Sequence, residues 1–323
     1  MDKVLPRECA LIAKYLVTGA NGFIGKSLCK EMTRKGYAVV GGSRIDSLQI
    51  AGVESQLVGD IEGATDWLEA LSGVSVVVHL AARVHLMDDK VPNPLAEFRK
   101  VNVEGTLNLA RQAAVVGIKR FVFVSTIKVN GEATILDKPF TADDKANPQD
   151  AYGLSKFEAE RGLMQIAQQT GMEVVIIRPP LVYGAGVKAN FAGMILAVKR
   201  GIPLPLGAIY NKRSFVYIGN LVSLIMCCIN HPAAVNQVFL VSDGHDLSST
   251  ELLQGCAQAL GVKPRLMPVS QKLVEACGIL LGKRLLAQRL CGNLQVDITK
   301  TRELLGWEPS FTVAQGLNAT VLI

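Results

Sequence analysis

Two short segments carry residue types that could together move a proton. Residues 124–131, VSTIKVNG, place the Thr126 hydroxyl just after a short apolar run, and residues 151–156, AYGLSK, place Tyr152 and Lys156 four positions apart. On a helix this spacing puts both side chains on one face. A tyrosine phenol has a pKa of ~10, and a neighbouring ammonium stabilises the phenolate and lowers that pKa toward the neutral range. We therefore predict that Thr126, Tyr152 and Lys156 form a proton relay on one substrate oxygen.

This spacing also occurs on ordinary solvent-exposed helix faces, so the prediction gains its weight from a glycine-rich loop upstream. Residues 17–25, VTGANGFIG, hold three glycines between a predicted strand and a predicted helix. Such a turn presents backbone N–H groups at the helix N-terminus and lets a pyrophosphate approach them. The loop residues predicted to contact a dinucleotide are Gly19, Asn21, Gly22, Phe23, Ile24 and Gly25.

Later strand ends carry residues that suit the same ligand. An acidic side chain after the third strand could accept a hydrogen bond from the adenine amino group. Small residues after the fourth strand would leave room for a flat cofactor. An asparagine in the next helix could bridge the helix backbone to the site through water. Each of them could instead be a cap or a core residue, but together they favour a bound dinucleotide. These residues are Asp60, Ile61, Leu80, Ala81, Ala82 and Asn102.

The end of the second strand bears on which dinucleotide is bound. An Asp or Glu at this place bonds the ribose 2'-hydroxyl of NAD, whereas an Arg accommodates the 2'-phosphate of NADP. The chain has Ser43 and Arg44 here, and the first acid is delayed to Asp46. The sequence therefore favours NADP(H), with NAD(H) as the alternative if Arg44 is only a solvated surface residue.

Composition limits the class of protein and of partner. The chain has 323 residues, 49% of them hydrophobic and 19% charged, with a net charge of +6. Lysine and arginine are scattered, which suits a small anionic ligand and argues against nucleic acid. No apolar run approaches the ~20 residues of a membrane span, and the N-terminus lacks a secretory pattern, so we expect a cytoplasmic protein. Seven cysteines without metal-type pairing indicate reduced thiols and no metal site.

The order of predicted elements indicates an α/β fold. Apolar strands alternate with helical periodicity up to residue 180, which is typical of a Rossmann-type, doubly wound parallel sheet. Helices are predicted around 66–71, within 95–116 and over 151–169. We expect a dinucleotide-binding domain over residues 1–180 and a smaller mixed substrate lobe over 181–323. Strands near 214–218 and 237–242 could return to the first sheet.

The segments TGANGFIG, GDI, HLAA, VNVEGT, VFVST, YGLSK and RPPLVYG together resemble the extended short-chain dehydrogenase/reductase family, in its nucleotide-sugar epimerase/dehydratase branch. The resemblance covers nearly the whole chain. It implies a UDP-sugar substrate and a homodimer formed through the helices within 95–116 and 151–169. It also implies Tyr152 as acid/base with Lys156 beside it, Thr126 as the second hydroxyl, Val124, Ser125 and Pro179 near the nicotinamide, and His85, Asn190, Leu206 and Arg213 as substrate contacts.

The chain departs from this branch beside the predicted relay. Members that dehydrate sugars carry Asp-Glu after the catalytic Thr, whereas this chain has Ile127 and Lys128, which disfavours dehydration. Asn130 replaces an aromatic residue of the usual pattern, and Leu181 replaces an asparagine. Arg289 is a candidate for a second diphosphate contact.

Reduction at one carbon and epimerisation use the same residues, so the two activities stay open. The predicted preference for NADP(H) over NAD(H) favours a 4-keto-sugar reductase. The segments STIKVNGE and LCGNLQVD are similar to bacterial O-antigen enzymes that reduce a UDP-4-keto-6-deoxy-N-acetylhexosamine to UDP-N-acetylquinovosamine. The alternatives are a UDP-glucose or UDP-N-acetylglucosamine 4-epimerase with bound NAD, a reductase of a neutral hydrophobic ketone, and a nucleotide sensor without turnover.

Overall fold

A parallel sheet of seven strands forms the centre of the molecule. The computed structural model describes residues 13–44, 49–84, 92–187 and 189–321, without the side chains of residues 189 and 190. The strands are β1 Lys14–Thr18, β2 Ala38–Ser43, β3 Val53–Leu57, β4 Val74–His79, β5 Arg120–Val124, β6 Glu173–Arg178, β7 Leu181–Tyr183, β8 Phe215–Tyr217 and β9 Gln237–Leu240. The sheet order is β3-β2-β1-β4-β5-β6-β9, with every pairing parallel. The predicted doubly wound Rossmann-type fold is confirmed.

Helices cover both faces of this sheet, which explains the unbroken apolar runs in its central strands. Val17 and Val78 belong to one buried cluster, and Leu16 and Val77 belong to the other. The α-helices are α1 Phe23–Arg34, α2 Pro94–Arg99, α3 Thr106–Val115, α4 Ala151–Thr170, α5 Ala189–Lys199, α6 Ile218–Asn230, α7 Ser249–Leu260, α8 Gln271–Leu280, α9 Arg284–Cys291, α10 Thr299–Leu305 and α11 Val313–Val321. Among the described helices, none is both long and apolar enough to cross a bilayer.

One local prediction is wrong. Residues 66–71 form turns instead of a helix, and the Trp67 N–H donates outside the segment, to Gln112 Oε1 of α3 at 2.8 Å. The helix predicted within 95–116 is confirmed over Pro94–Val115, with a π-helical turn at Lys100–Gly105 between α2 and α3. Such turns are rare and often occur at functional sites.

The C-terminal half both completes the sheet and forms a separate packing region. The strand predicted near 237–242 is β9, which pairs with β6 at the sheet edge, while the strand near 214–218 is β8, which pairs with β7 in a small second sheet. Two further apolar clusters lie in this half, one of them containing Phe191 and Phe215 and the other Val198 and Leu253. The division into two domains at residue 180 stays a prediction.

Candidate active site

The predicted cofactor and relay residues lie along one edge of the sheet. Because all seven strands are parallel, the residues that follow β1, β4, β5 and β6 meet at their carboxyl ends, where ligands of such sheets bind. Backbone hydrogen bonds join the ends of β5 and β6. The Ser125 N–H donates to the Ile177 carbonyl at 2.7 Å, and the Ile127 N–H donates to the Pro179 carbonyl at 2.9 Å. The segment that carries Thr126 is thereby fixed beside β6.

The glycine loop has the close geometry that a pyrophosphate site requires. Gly19 has a φ of +68°, and a Cβ on it would lie 2.9 Å from the Ala81 nitrogen. A Cβ on Gly25 would lie 2.1 Å from the Gly19 carbonyl oxygen, so only glycine fits. Gly22 occupies the N-cap of α1, where it has no side chain to cover the first amides. These features fit a dinucleotide phosphate group at the helix N-terminus.

Phe23 and Ile24 pack against the apolar cluster beneath the loop, and Leu80, Ala81 and Ala82 are half-buried after β4.

His79, a buried histidine that was not predicted from the sequence, fixes the carboxyl end of β4. His79 Nδ1 lies 2.7 Å from Thr18 Oγ1, and that oxygen also accepts from the Leu80 and Ala81 N–H groups. Burial, with the charge of Lys156, lowers the pKa of His79 to about 3, so the ring is neutral.

Asn102 lies in the π-helical turn and joins the loop after β4 to helix α4. Its Oδ1 accepts from the Arg83 N–H at 2.8 Å, and its Nδ2 donates to the Arg83 carbonyl and to Ser155 Oγ, each at 3.0 Å. Ser155 Oγ in turn donates to the Tyr152 carbonyl at 2.8 Å. Asn102 was predicted to reach the site through water. In the structure it does so by direct hydrogen bonds, through Ser155 to the carbonyl of Tyr152.

Helix α4 carries both Tyr152 and Lys156. Lys156 is 1% exposed, and its Nζ lies 3.8 Å from the centre of the Phe123 ring. The edge of the Tyr152 ring packs against Phe98. Thr126 caps the short helix Ile127–Val129 by accepting from the Lys128 N–H at 3.3 Å, and this helix contacts the first turn of α4 at Gly153.

The electrostatics of the pair differ from the prediction. Burial, with the charge of Asp150, raises the pKa of Tyr152 to about 12, and burial lowers the pKa of Lys156 to about 7. In the free protein the Tyr152 pKa is therefore shifted upward, opposite to the predicted direction. The physical reason is that desolvation penalises the charged form of both groups, so the amine gives up its own charge first.

Lys128 forms an ion-pair cluster beside the relay. Its Nζ donates to Asp150 and, at 3.1 Å, to Glu132. Asp150 also caps α4 by accepting from the Gly153 N–H at 2.6 Å. Burial alone would raise the pKa of Asp150, but the bonds from Lys128 and Gly153 hold it below its usual value. Lys128 thus links the Thr126 segment to the N-terminus of α4.

The remaining predicted cofactor contacts fall into two groups. Near the nicotinamide end, Val124 and Ser125 are buried, and Ser125 Oγ has no hydrogen-bond partner among the described residues, as expected if a bound group supplies one. At the adenosine end, the Arg44 and Asp60 side chains are both about three-quarters exposed, with their charged atoms 3.9 Å apart. Ser43 and Ile61 are buried nearby in the strand end and the following loop.

The predicted substrate contacts are only partly brought together. Arg213 Nη1 donates to the Gly292 carbonyl at 3.0 Å, and burial together with the neighbouring charge of Arg289 lowers the pKa of Arg213 to about 10. Leu206 is buried in the apolar cluster around Val198. His85 and the Asn190 side chain lie outside the described residues. The positive charge of Arg289 acts on Arg213, as expected if both residues contact the predicted diphosphate.

Comparison with known proteins gives one family and several relatives. The family model described as "NAD dependent epimerase/dehydratase family" matches residues 15–242. A UDP-glucose 4-epimerase of Vibrio cholerae is 50% identical over 99% of this chain and 96% of its own length. Among solved structures, a UDP-glucose 4-epimerase of Thermotoga maritima with UDP-glucose (TM-score 0.75, 23% identity) covers 95% of this chain and 97% of its own. A UDP-glucuronic acid 4-epimerase of Bacillus cereus with NAD (TM-score 0.76, 22% identity) gives the same coverage.

Proposed function

Because this chain belongs to the NAD dependent epimerase/dehydratase family, we propose that it is a 4-epimerase of UDP-hexoses that keeps NAD bound through the reaction. The observation that carries the proposal is the 50% identity to the V. cholerae UDP-glucose 4-epimerase along 99% of the chain. This identity favours the alternative of the sequence analysis over the 4-keto-sugar reductase that it placed first. The homodimer stays a prediction.

The chain's own residues would transfer the proton of one sugar hydroxyl, the one on C4. Tyr152 removes the proton from the oxygen on C4 and later returns it, and Thr126 donates a hydrogen bond to the same oxygen. Lys156 lies one helical turn from Tyr152, and its charged ammonium form stabilises the phenolate form of Tyr152. NAD bound at the glycine loop supplies the hydride acceptor and donor for that carbon.

The environment of Lys128 supports a reaction confined to this one carbon. Removal of water from a sugar needs an acid and a base besides the tyrosine. Ile127 is buried and cannot transfer a proton, and the Lys128 amine is held by Asp150 and Glu132. We therefore propose that the enzyme does not dehydrate its substrate.

The direct test is incubation of the purified protein with UDP-glucose deuterated at C4, without added cofactor. We expect UDP-galactose to form, with the deuterium still on C4, as followed by NMR. A parallel incubation with UDP-N-acetylglucosamine tests the second hexose. Absence of any C4 epimer from both sugars, even with NAD added, would overturn the proposal.

One observation keeps the reductase as a second candidate. Arg44 follows β2, where a carboxylate would favour NAD, and its exposed side chain is available to a 2'-phosphate. In that case the protein would oxidise NADPH in the presence of a UDP-4-keto-6-deoxy-N-acetylhexosamine, and Arg44→Ala would raise the KM for NADPH but not that for NADH. Equal KM values for both cofactors in the native protein would remove this candidate.

We predict that Arg213→Leu weakens UDP binding about 10–200-fold, the loss expected when a charged hydrogen-bond donor of about 1.5–3 kcal/mol is removed. Titration calorimetry with UDP measures the effect. Arg213→Lys should restore part of the affinity, since it keeps the charge without the paired donors. Arg200→Leu, an exposed arginine of the same half of the chain, is the control. Native affinity for UDP in Arg213→Leu would exclude a diphosphate contact.

We also predict that kcat/KM rises with pH through about 7 and then levels off, because the proton that the pair must lose first is that of Lys156. Below this pH the pair holds both protons, so no base is available; above it the neutral amine can take the phenol proton and leave Tyr152 as the phenolate base. In Lys156→Met only the phenol titrates, and activity should be lower and should keep rising at alkaline pH. A flat profile in the native enzyme between pH 5 and 9 would contradict this assignment.

A further inference from the structure

Helices α8 and α9 form a tight helical hairpin near the C-terminus. A Cβ on Gly278 would lie 2.4 Å from the Ala287 Cβ, so the two helices approach each other through small residues. The Lys283 N–H donates to the Gly278 carbonyl at 2.7 Å, and Gly282 has a φ of +67°, which closes the turn. Helix α8 has no buried residue. The two helices are therefore closely packed at their crossing point, while the outer side of the hairpin is exposed.

The turn of this hairpin exposes leucines. Leu280 is 85% exposed, Leu281 72%, Leu285 63% and Leu286 44%. Ile279, just before them, is also exposed. Single exposed apolar residues are normal on protein surfaces, but a continuous apolar patch marks an interaction site. Some partner is therefore expected to remove these side chains from water.

The charges around the leucines identify the kind of partner. The hairpin carries four exposed cations and a single acid, Glu275, and none of the cations forms an ion pair with a described residue. Lys283 and Arg284 stand within the leucine turn itself. The four cations are Lys272, Lys283, Arg284 and Arg289, of which Arg289 acts on Arg213 and is left to the predicted diphosphate site. Leucines with interspersed lysine and arginine suit the boundary of an anionic bilayer, where the apolar stems enter and the charges reach the headgroups.

Two other partners fit less well. A second copy of the chain, packed across a two-fold axis, would bring Lys283 and Arg284 of both copies together, which repels. A transmembrane arrangement is excluded for this hairpin by length, since α8 has 10 residues and α9 has 8, against the ~20 needed to span a bilayer.

We propose that the α8–α9 hairpin docks the protein on the surface of an anionic membrane, with the leucines of its turn inserted among the lipid headgroups. Arg213 bonds the carbonyl of Gly292, the residue directly after α9, so docking would hold the predicted substrate-binding half at the bilayer. The proposal rests on the hairpin alone and does not depend on the activity proposed above.

The test is flotation of the full protein with vesicles of phosphatidylethanolamine and phosphatidylglycerol, and with vesicles of phosphatidylcholine alone. We expect the native protein to float with the anionic vesicles only. Leu280→Ser/Leu281→Ser should lower the bound fraction about tenfold or more, given the apolar area removed. Lys283→Glu/Arg284→Glu should do the same, and high salt should release the native protein.

Matched controls separate docking from general surface effects. Leu68→Ser removes a half-exposed leucine elsewhere, and Lys30→Glu/Lys119→Glu makes the same charge change on another surface. Both should bind like the native protein, and all variants should give native circular dichroism and melting curves. Three results would overturn the proposal: no flotation of the native protein at low salt, unchanged flotation of the leucine variant, or a native dimer without vesicle binding that the leucine substitutions convert to a monomer.

Discussion

Replacing Tyr152 with phenylalanine is expected to lower kcat about 10²–10⁴-fold, the range associated with loss of a positioned proton donor and acceptor. Binding of NAD should persist, because the glycine loop is unchanged by the substitution. The variant should also fold normally, since phenylalanine keeps the ring that packs against Phe98. Steady-state rates of UDP-sugar turnover, together with calorimetric titration of NAD, measure both effects.

Tyr210→Phe provides the matched control, because Tyr210 is 79% exposed and loses the same hydroxyl without affecting the site. It should retain native kcat. If Tyr152→Phe also retained native kcat, the phenol would not be the proton donor and acceptor, and the proposed role of Tyr152 would be wrong. A loss of NAD binding in Tyr152→Phe would show instead that the hydroxyl mainly holds the cofactor.

The features that sequence predicts well here are those encoded by neighbouring residues. Contiguous valine and isoleucine runs predict strands buried on both faces, and β4, β5 and β6 have that character. The glycine spacing of the loop reflects close approaches between the loop and its own helix, such as that of Gly25 to Gly19. The Tyr152–Lys156 spacing likewise depends only on one helix.

The features that sequence does not predict depend on distant partners. His79 is held by Thr18 and Thr106, which lie 61 and 27 residues away in the chain. Residues 66–71 were predicted as a helix, but they form turns, and side chains of α3 bond the Trp67 N–H and the preceding Thr65 carbonyl. The direction of the pKa shift of Tyr152 depends on how deeply α4 is buried, which no local pattern records.

A buried ion pair between α4 and β6 is another such feature, and it bears on how α4 is held. Arg178, at the end of β6, donates to Glu160 at 2.6 Å and to Asn130 Oδ1 at 2.9 Å, and both charged side chains are at most 7% exposed. Glu160 lies one turn after Lys156, and its charge raises the pKa of that lysine against the effect of burial. Asn130, which replaces an aromatic residue of the family pattern, thus has a structural role.

Replacing Glu160 with alanine is therefore expected to lower the free energy of unfolding by about 3–5 kcal/mol, because Arg178 would be left charged, buried and without its carboxylate. Urea denaturation measures the loss. Glu158→Ala, two residues earlier on the same helix, breaks only the exposed pair with Arg99 and should cost less than about 1 kcal/mol.

The double substitution Glu160→Met/Arg178→Met decides between an unpaired charge and lost packing. If the cost of Glu160→Ala comes from the unpaired guanidinium, removal of both charges with side chains of similar length should restore most of the stability. If the double variant is as unstable as Glu160→Ala, packing around α4 carries the effect instead. With the carboxylate gone, burial acts on Lys156 unopposed, so the inflection of kcat/KM near pH 7 should also move to lower pH in the double variant.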